Sequence, residues 1–161
     1  MLFRSKAAAL AEYSIGSLKG TQNSLLITLG TGVGGGVILN GKLYAGTNGK
    51  ASEIGHMIVG ENFYNCNCGQ NGCYETFTSA TALVKYTKKL LEDNKEETMI
   101  LSRLKGNLDN LEAKVIFNCA REGDIIALKV IERFIHYLVI GISNLSNILD
   151  LEIIALGGGL S

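Results

Sequence analysis

Residues 24–44 read S-L-L-I-T-L-G-T-G-V-G-G-G-V-I-L-N-G-K-L-Y, a pattern that predicts the centre of a sheet. Ser24–Leu29 has the continuous apolar pattern of a buried strand, and Val37–Leu39 repeats it after a run of glycines. Asn40-Gly41 is the dipeptide most typical of a two-residue hairpin turn, so a third strand is predicted at Lys42–Tyr44. The stretch therefore predicts strand, glycine loop, strand, hairpin turn and strand in succession.

The glycine run at residues 30–36 is a candidate phosphate-binding element. Glycines leave backbone amides unshielded, and these amides can donate hydrogen bonds to phosphate oxygens together with the Thr31 hydroxyl. Glycine bends without phosphate are also common. The run is neither a Walker loop, which needs a lysine after the glycines, nor a dinucleotide fingerprint, which needs a helix there. Both a phosphate site and a plain bend stay open on this evidence.

Residues 53–75 read E-I-G-H-M-I-V-G-E-N-F-Y-N-C-N-C-G-Q-N-G-C-Y-E and contain a set of metal-binding side chains. His56, Cys66, Cys68 and Cys73 occur within eighteen residues. Three thiolates and one imidazole are the ligand set of a closed tetrahedral zinc site, and the intervening glycines and asparagines tolerate the positive backbone angles of a tight loop. The spacing predicts a structural zinc loop.

A disulfide, or three unrelated thiols, are the alternatives for this loop. Cys66 and Cys68 are too close in sequence to bridge comfortably, and a bridge from either one to Cys73 leaves an odd thiol. Cys119 lies in an apolar helical pattern and is predicted to be a buried free thiol. No signal peptide precedes the cysteines, which favours a reducing cytoplasm.

Two acids flank the predicted metal ligands. Glu53 lies three residues before His56, and Glu75 lies two residues after Cys73, so a loop folded around one metal brings both carboxylates to the same region. A closed zinc site does no Lewis-acid chemistry, and its role would be to position these acids and the second ring nitrogen of His56. The alternative is that Glu53 caps a turn and Glu75 opens a helix.

Composition indicates one ordinary globular domain. The chain has 161 residues, 47% of them hydrophobic and 19% charged, with a formal net charge of zero. The balanced charge and the absence of a basic run argue against a nucleic-acid surface, and no apolar stretch is long enough for a membrane span.

The second half of the chain has mainly helical patterns. Ser79 or Thr81 is predicted to cap a helix through Glu92, and Asp124 is predicted to open a long helix packed on a sheet and reaching about Leu149. The predicted apolar stripe of that long helix consists of Ile125, Leu128, Ile131, Ile135, Leu138, Ile142, Leu145 and Leu149. The other predicted elements are a helix at Ser5–Ile15, a loop at 93–98, helices at Met99–Leu104 and Asn110–Glu122, and a strand at Glu152–Leu156.

Several of these motifs resemble the ROK family of repressors and sugar kinases, which includes bacterial glucokinases. They are L-I-T-L-G-T-G-V-G-G-G-V-I-L-N-G-K-L-Y-A-G, E-I-G-H-M, C-N-C-G-Q-N-G-C-Y-E and the terminal I-I-A-L-G-G-G. The resemblance implies an α/β fold, namely the C-terminal lobe of the actin-like ATPase (ribonuclease H-like) fold with an inserted zinc loop at 53–75. It implies a single domain over residues 1–161.

The resemblance also implies roles for individual residues. Glu53, His56 and Glu75 would contact sugar hydroxyls, with His56 also on zinc. Phosphate and adenosine contacts are implied for the glycine-rich segments, at Gly30, Thr31, Gly32, Gly34, Gly157, Gly158 and Gly159. The implied activity is ATP-dependent, magnesium-assisted phosphorylation of a hexose, glucose first, by a homodimer.

The departures from the family pattern lie at the start of the chain. Arg4 stands where the family has the aspartate that accepts the proton of the sugar hydroxyl, and Lys6 stands where it has an asparagine. The first lobe, with its own phosphate motif, has no counterpart here. We therefore expect no catalytic residue in this chain and no activity of the chain alone. The alternative implied by the family is the sugar-sensing effector domain of a ROK repressor, although no DNA-binding motif precedes it.

Overall fold

The computed structural model describes residues 2–93 and 97–161 and has a mixed α/β fold. The strands are β1 (Ser24–Leu29), β2 (Val33–Leu39), β3 (Lys42–Leu43) and β4 (Ile153–Gly157). The α-helices are α1 (Leu2–Ile15), α2 (Glu75–Thr78), α3 (Ala80–Asp93), α4 (Met99–Arg103), α5 (Ala113–Arg121) and α6 (Ile125–Leu149). The sheet order is β3-β2-β1-β4, in which β1 is antiparallel to β2 and parallel to β4. The predicted loop at 93–98 falls partly outside the described residues.

The sheet lies between two layers of helix. Successive side chains of a strand point to opposite faces, and in β1 Leu25, Ile27 and Leu29 join the larger apolar core with α3, α5 and α6. Leu26 points to the other face, into a smaller cluster with Ala9 of α1. The strand is therefore buried on both sides, which explains its continuous apolar sequence.

The glycine run is a loop only in its first half. β2 begins at Val33 and includes Gly34, Gly35 and Gly36, so the prediction of a loop through Gly36 is wrong there. A Cβ added to Gly36 would overlap Cβ of Ala9, because α1 lies directly on β2. Gly34 and Gly36 allow α1 to approach the strand closely, while Gly35 makes room for Ile54 on the opposite face. A turn rule applied to the sequence cannot reveal these reasons.

The predicted turn and helix caps are present. Asn40 and Gly41 both have positive φ, 50° and 70°, as a two-residue hairpin turn of this type requires. Ser79, rather than Thr81, caps α3: its hydroxyl accepts a hydrogen bond from a first-turn amide at 3.1 Å. Asp124 caps α6 in the same way at 2.8 Å. Local polar side chains therefore set these boundaries.

The predicted helix Asn110–Glu122 begins later than expected. Leu108–Asn110 forms a separate 3₁₀ turn, and α5 starts at Ala113. The side chain of Asn107 accepts a hydrogen bond from the N–H of Asp109 at 3.0 Å, which stabilises this short turn. The backbone is then extended before α5 begins.

The long helix α6 has the predicted bounds, but its buried face matches the predicted stripe only in part. Leu145 is buried, and Ile131, Leu138, Ile142 and Leu149 pack against the core. Its buried residues are Ile126, Ala127, Val130, Phe134, Gly141 and Leu145. Of the predicted stripe, Ile125, Leu128 and Ile135 are 63%, 48% and 50% exposed. The helix is apolar on two adjacent faces, and periodicity alone does not choose between them. The buried face packs against α2, α3 and α5. It also shares one apolar core with Leu25 and Ile27 of β1, which agrees with the prediction that the helix packs on the sheet.

No helix in the described parts of the chain is long and apolar enough to cross a membrane.

Candidate functional site

The four predicted metal ligands meet at one point. One donor atom from each of His56, Cys66, Cys68 and Cys73 lies within 4.8 Å of the other three. Nδ1 of His56 is 3.6 Å from Sγ of Cys66, and Sγ of Cys68 is 3.5 Å from Sγ of Cys73. A tetrahedral zinc ion with ordinary bond lengths places such donors about 3.6–3.8 Å apart, so this donor set fits zinc. All cysteines of the chain are free thiols, including the buried Cys119, which agrees with the prediction.

Close backbone contacts shape the loop around this point. An isolated β-bridge pairs Asn65 with Asn71, and the N–H of Cys66 donates to the carbonyl of Gln70 at 2.8 Å. Gly72 has a φ of +84°, and a Cβ there would overlap the carbonyl oxygen of Gly60. The loop needs glycine here both for its backbone angle and for space.

Without a metal, the thiols of the cluster differ in acidity. Burial raises the pKa of the Cys73 thiol to about 12. The hydrogen bond from the backbone of Gln70 lowers the pKa of the exposed Cys68. Zinc binds thiolates, so metal binding at this cluster must release protons, from Cys73 above all.

Both flanking acids lie beside the metal ligands. Oε2 of Glu53 is 4.0 Å from Nε2 of His56, the ring nitrogen that does not face the thiols. Oε1 of Glu75 is 4.0 Å from Sγ of Cys66, while its Oε2 accepts a hydrogen bond from the N–H of Val33 at 2.9 Å. The alternative noted for Glu75 also holds, since it is the first residue of α2. Glu75 thus connects the loop of residues 53–75, called the metal loop below, to the start of β2.

The first half of the glycine run, residues 30–32, forms a bend that is anchored to α3. The N–H of Ala80 donates to the carbonyl of Gly30 at 2.8 Å, and the hydroxyl of Thr81 donates to the carbonyl of Thr31 at 2.8 Å. The helix start therefore fixes the shape of the bend from about 50 positions along the chain.

A cavity of about 630 Å³ opens beside this bend. Gly30 and Thr31 form one wall, and Gly159 with the last two residues of the chain forms another. The third wall is α5, through Lys114, Phe117, Asn118 and Arg121. The volume is within the range of small-molecule sites. The two cationic side chains of the lining, Lys114 and Arg121, suit a phosphorylated ligand, although Glu112 also lines the cavity.

The predicted glycine contacts lie at different places. Gly32 lines a second, smaller cavity of about 160 Å³ that also includes Glu75 and Lys85. Gly158 has a φ of +107°, and a Cβ there would overlap the carbonyl of Leu29. Gly157 pairs with a residue of β1, and Gly34 lies in β2 facing α1. Of the predicted set, Gly30, Thr31 and Gly159 line the larger cavity.

Sequence reasoning missed the wall supplied by α5. The residues Lys114, Asn118 and Arg121 are spaced by four and three positions, so they share one face of a helix. That polar face was a usable signal, but only the tertiary structure shows what it faces.

The positions that depart from the family pattern are at the edge of the molecule. Arg4 is exposed in the first turn of α1, and the ammonium group of Lys6 donates to the carbonyl of Gly49 at 2.7 Å. His136 is exposed on α6 and lies against the ring of Tyr137 at 5.1 Å, apart from the metal cluster.

An α/β domain that joins a Cys₃His loop to a glycine bend and a ligand-sized cavity matches known proteins over nearly its whole length. The profile of the ROK family matches residues 5–161. The glucokinase of Halalkalibacterium halodurans is 43% identical over 155 residues, which are 96% of this chain and 46% of that enzyme. The xylose repressor of Caldicellulosiruptor bescii is 32% identical over 96% of this chain and 38% of that protein.

A solved structure has the same fold. It is that of a ROK family glucokinase from Streptomyces griseus in complex with glucose and AMPPNP, with a TM-score of 0.86 and 36% identity. The match covers 97% of this chain and 50% of that one. The chain therefore belongs to the ROK family, as its motifs predicted, and spans about half the length of the relatives it matches.

Proposed function

We propose that this chain is the C-terminal lobe of a ROK sugar kinase on the actin-like ATPase fold, as one domain over residues 1–161. The complete enzyme would be a homodimer that transfers a phosphoryl group from ATP to a hexose, glucose first. The similarity to glucokinases from two genera supports the kinase assignment. Within the chain, the contact that best supports the kinase assignment is the hydrogen bond from the N–H of Val33 to Glu75.

This contact links the Glu75 carboxylate, which can accept a hydrogen bond from a sugar hydroxyl, to the glycine bend. Phosphoryl transfer depends on holding the donor phosphate and the acceptor hydroxyl in line. The carboxylate of Glu75 is hydrogen-bonded to Val33, the first residue after the bend. A sugar held by Glu75 and a phosphate held by the bend would therefore have a fixed relative position. In this proposal Glu53 and His56 supply further hydroxyl contacts from the same loop.

The metal loop has a structural role in this proposal. Zinc at His56, Cys66, Cys68 and Cys73 has no open position, so it supplies no Lewis acid and instead fixes the loop that carries the acids. Nε2 of His56 is directed toward Glu53, which leaves that nitrogen at the sugar-binding side.

Nucleotide binding is proposed for the larger cavity. Gly30, Thr31 and Gly32 would hold phosphate oxygens, and the segment Gly157–Gly159 would lie along the adenosine. Gly34 serves the same element indirectly, because it lets β2 lie under α1. Magnesium, when bound with ATP, neutralises charge on the transferring phosphate.

Two measurements on the 161-residue chain test this proposal. Equilibrium titration should detect weak binding of Mg·ATP, while a coupled assay of ADP release with a panel of hexoses should detect no turnover. Arg4 has no carboxylate with which to accept a proton, and its guanidinium stays charged. Turnover near the roughly 1–100 per second of kinases would overturn the assignment of an inactive lobe. An absence of any nucleotide binding would contradict the placement of the ATP site.

A sugar-sensing domain of a ROK repressor is the second candidate. The similarity to the xylose repressor over 96% of this chain favours it. The two candidates differ in whether they bind a nucleotide. Sugar binding without any measurable affinity for Mg·ATP would favour the repressor domain.

A further inference from the structure

Arg133 of α6 lies in an unusual environment for a cation. Its guanidinium carbon is 4.3 Å from the ring centre of Tyr86 on α3, 4.6 Å from that of Phe77 on α2 and 5.3 Å from that of Tyr137 on α6. Phe77 and Tyr137 are themselves stacked, with centroids 3.8 Å apart. Aromatic faces attract a guanidinium but cannot accept hydrogen bonds in its plane, so its N–H groups must find partners at the edge of this cluster.

One of these partners is the amide of Asn62, in the metal loop. Nη2 of Arg133 donates to Oδ1 of Asn62 at 3.0 Å. The same oxygen accepts a hydrogen bond from the N–H of Phe63 at 2.9 Å. The amide nitrogen of Asn62 faces Thr76, where it donates to both the carbonyl and the hydroxyl oxygen at 2.9 Å. Because the orientation of an amide decides which atom donates, the cation and the N–H of Phe63 together favour the contact with Thr76.

Asn62 joins the two arms of the metal loop. Its backbone N–H donates to Oδ1 of Asn71 at 2.8 Å, and Asn71 returns a hydrogen bond to the carbonyl of Asn62 at 2.9 Å. Thr76, on the other arm, donates through its hydroxyl to the carbonyl of Cys73 at 2.7 Å. The arm before Cys66 and the arm after Cys73 are thus tied to each other and to α6 by a chain of hydrogen bonds that contains no metal.

We propose that Arg133 is a positioning residue for the metal loop, acting through Asn62 to hold the three thiols and the imidazole at ligand spacing before the metal binds. The proposal rests on the zinc site proposed above. A preorganised site loses less conformational freedom on binding, so its metal affinity is higher than that of the same ligands on a free loop. The same chain of contacts fixes Thr76, next to Glu75.

The experiment measures metal affinity on the reduced 161-residue chain. Zinc affinity is obtained by competition with a chelator, and Co²⁺ in place of zinc reports tetrahedral thiolate geometry through its visible absorption. Arg133→Met should weaken zinc binding about 10- to 100-fold, the range typical for residues that orient metal ligands. It should also change the Co²⁺ bands, and Arg133→Lys should restore part of the affinity because it keeps a cationic donor over the rings.

The matched control is Lys129→Met, which removes a cation one helical turn earlier in the same surface pocket. Its affinity should equal that of the wild type. Asn62→Ala should weaken zinc binding as Arg133→Met does, and the double variant should lose little more, because the two residues act in series. If Arg133→Met does not fold, Asn62→Ala and Arg133→Lys decide the matter. A loss of zinc affinity in Asn62→Ala with a smaller loss in Arg133→Lys supports the proposal, and an unchanged affinity in either variant overturns it.

The possible failures are distinguishable. A wild-type chain that binds neither Zn²⁺ nor Co²⁺ overturns the zinc site and the positioning role together. A wild-type chain that binds zinc, with folded variants that bind it equally well or with additive losses in the double variant, overturns the role of Arg133 alone.

Discussion

The metal loop and the larger cavity are assembled in opposite ways. All four ligands of the loop lie within residues 56–73, and the two flanking acids are Glu53 and Glu75. The cavity takes its walls from residues 30–31, from α5 and from the end of the chain, segments that are separated by dozens of residues. Short sequence spacing limits how far apart ligands can be, whereas distant segments meet only if the whole core forms. The loop is therefore a local site and the cavity a product of tertiary packing.

Removing a metal ligand should have the largest effect, and it should be confined to the loop. Cys73→Ser should reduce the zinc content from about one per chain to near zero. Structural zinc sites contribute on the order of 10 kcal/mol, so backbone hydrogen exchange should accelerate across residues 53–75. Exchange in α5 should stay unchanged if the two sites are separate.

Cys119→Ser is the control for this change, because Cys119 is a buried free thiol that lies outside the cluster. Its zinc content should equal that of the wild type. Wild-type protein with well under one zinc per chain and oxidised loop cysteines would contradict the metal site, and accelerated exchange in α5 would contradict the separation.

Removing the helix cap at Asp124, between α5 and α6, should have the next largest effect. Asp124 precedes α6, and its carboxylate accepts hydrogen bonds from the hydroxyl of Thr98 at 2.6 Å and from the N–H groups of Met99 and Ala127 at 2.7 and 2.8 Å. Asp124→Ala should lower the free energy of unfolding by about 2–4 kcal/mol, because two helix starts lose a charged acceptor. Urea unfolding checks this, with the exposed Asp109→Ala as a near-neutral control.

The same residue predicts a dependence on pH. Burial of Asp124 opposes its ionisation, but the hydrogen bonds from Thr98, Ala127 and Met99 outweigh this and leave its pKa below the ordinary value. A carboxyl with a depressed folded pKa stabilises the protein at pH values above its unfolded pKa, about 3.9, and loses this stabilisation as the pH falls through the folded value. The stability difference between wild type and Asp124→Asn should therefore shrink below about pH 4. A constant difference down to pH 2 would contradict it.

The smallest expected effect concerns the cavity wall itself. Arg121→Met should weaken Mg·ATP binding about 3- to 10-fold, since one cation facing a phosphate in a partly open site contributes about 1 kcal/mol. Its zinc content should not change. Arg103→Met is the matched control, because Arg103 pairs with Glu122 and lies outside the cavity lining. Equal ATP affinities of the two variants would remove α5 from the proposed nucleotide site.

Several elements could be predicted from the sequence because their causes are local. The hairpin turn at Asn40-Gly41 follows from two residues that tolerate positive φ, and the cap at Asp124 follows from one acid before an apolar run. The ligand positions His56, Cys66, Cys68 and Cys73 follow from spacing and side-chain chemistry alone. The ROK family was evident from the same motifs and is confirmed by the family match.

Other features depended on what lies opposite in space. The sequence determined that α6 is a helix, but neighbouring helices chose the face with Phe134 over the face with Ile135, since both faces are apolar. Likewise, Gly34 and Gly36 of β2 are required by the close approach of α1, and the cations of α5 line the cavity because the core places α5 beside the bend. Sequence by itself determined the metal loop, the turns and most helix bounds, because each depends on residues within a few turns of one another. Only the tertiary structure decided which faces are buried and which distant segments form the cavity, because burial depends on partners that no local pattern specifies.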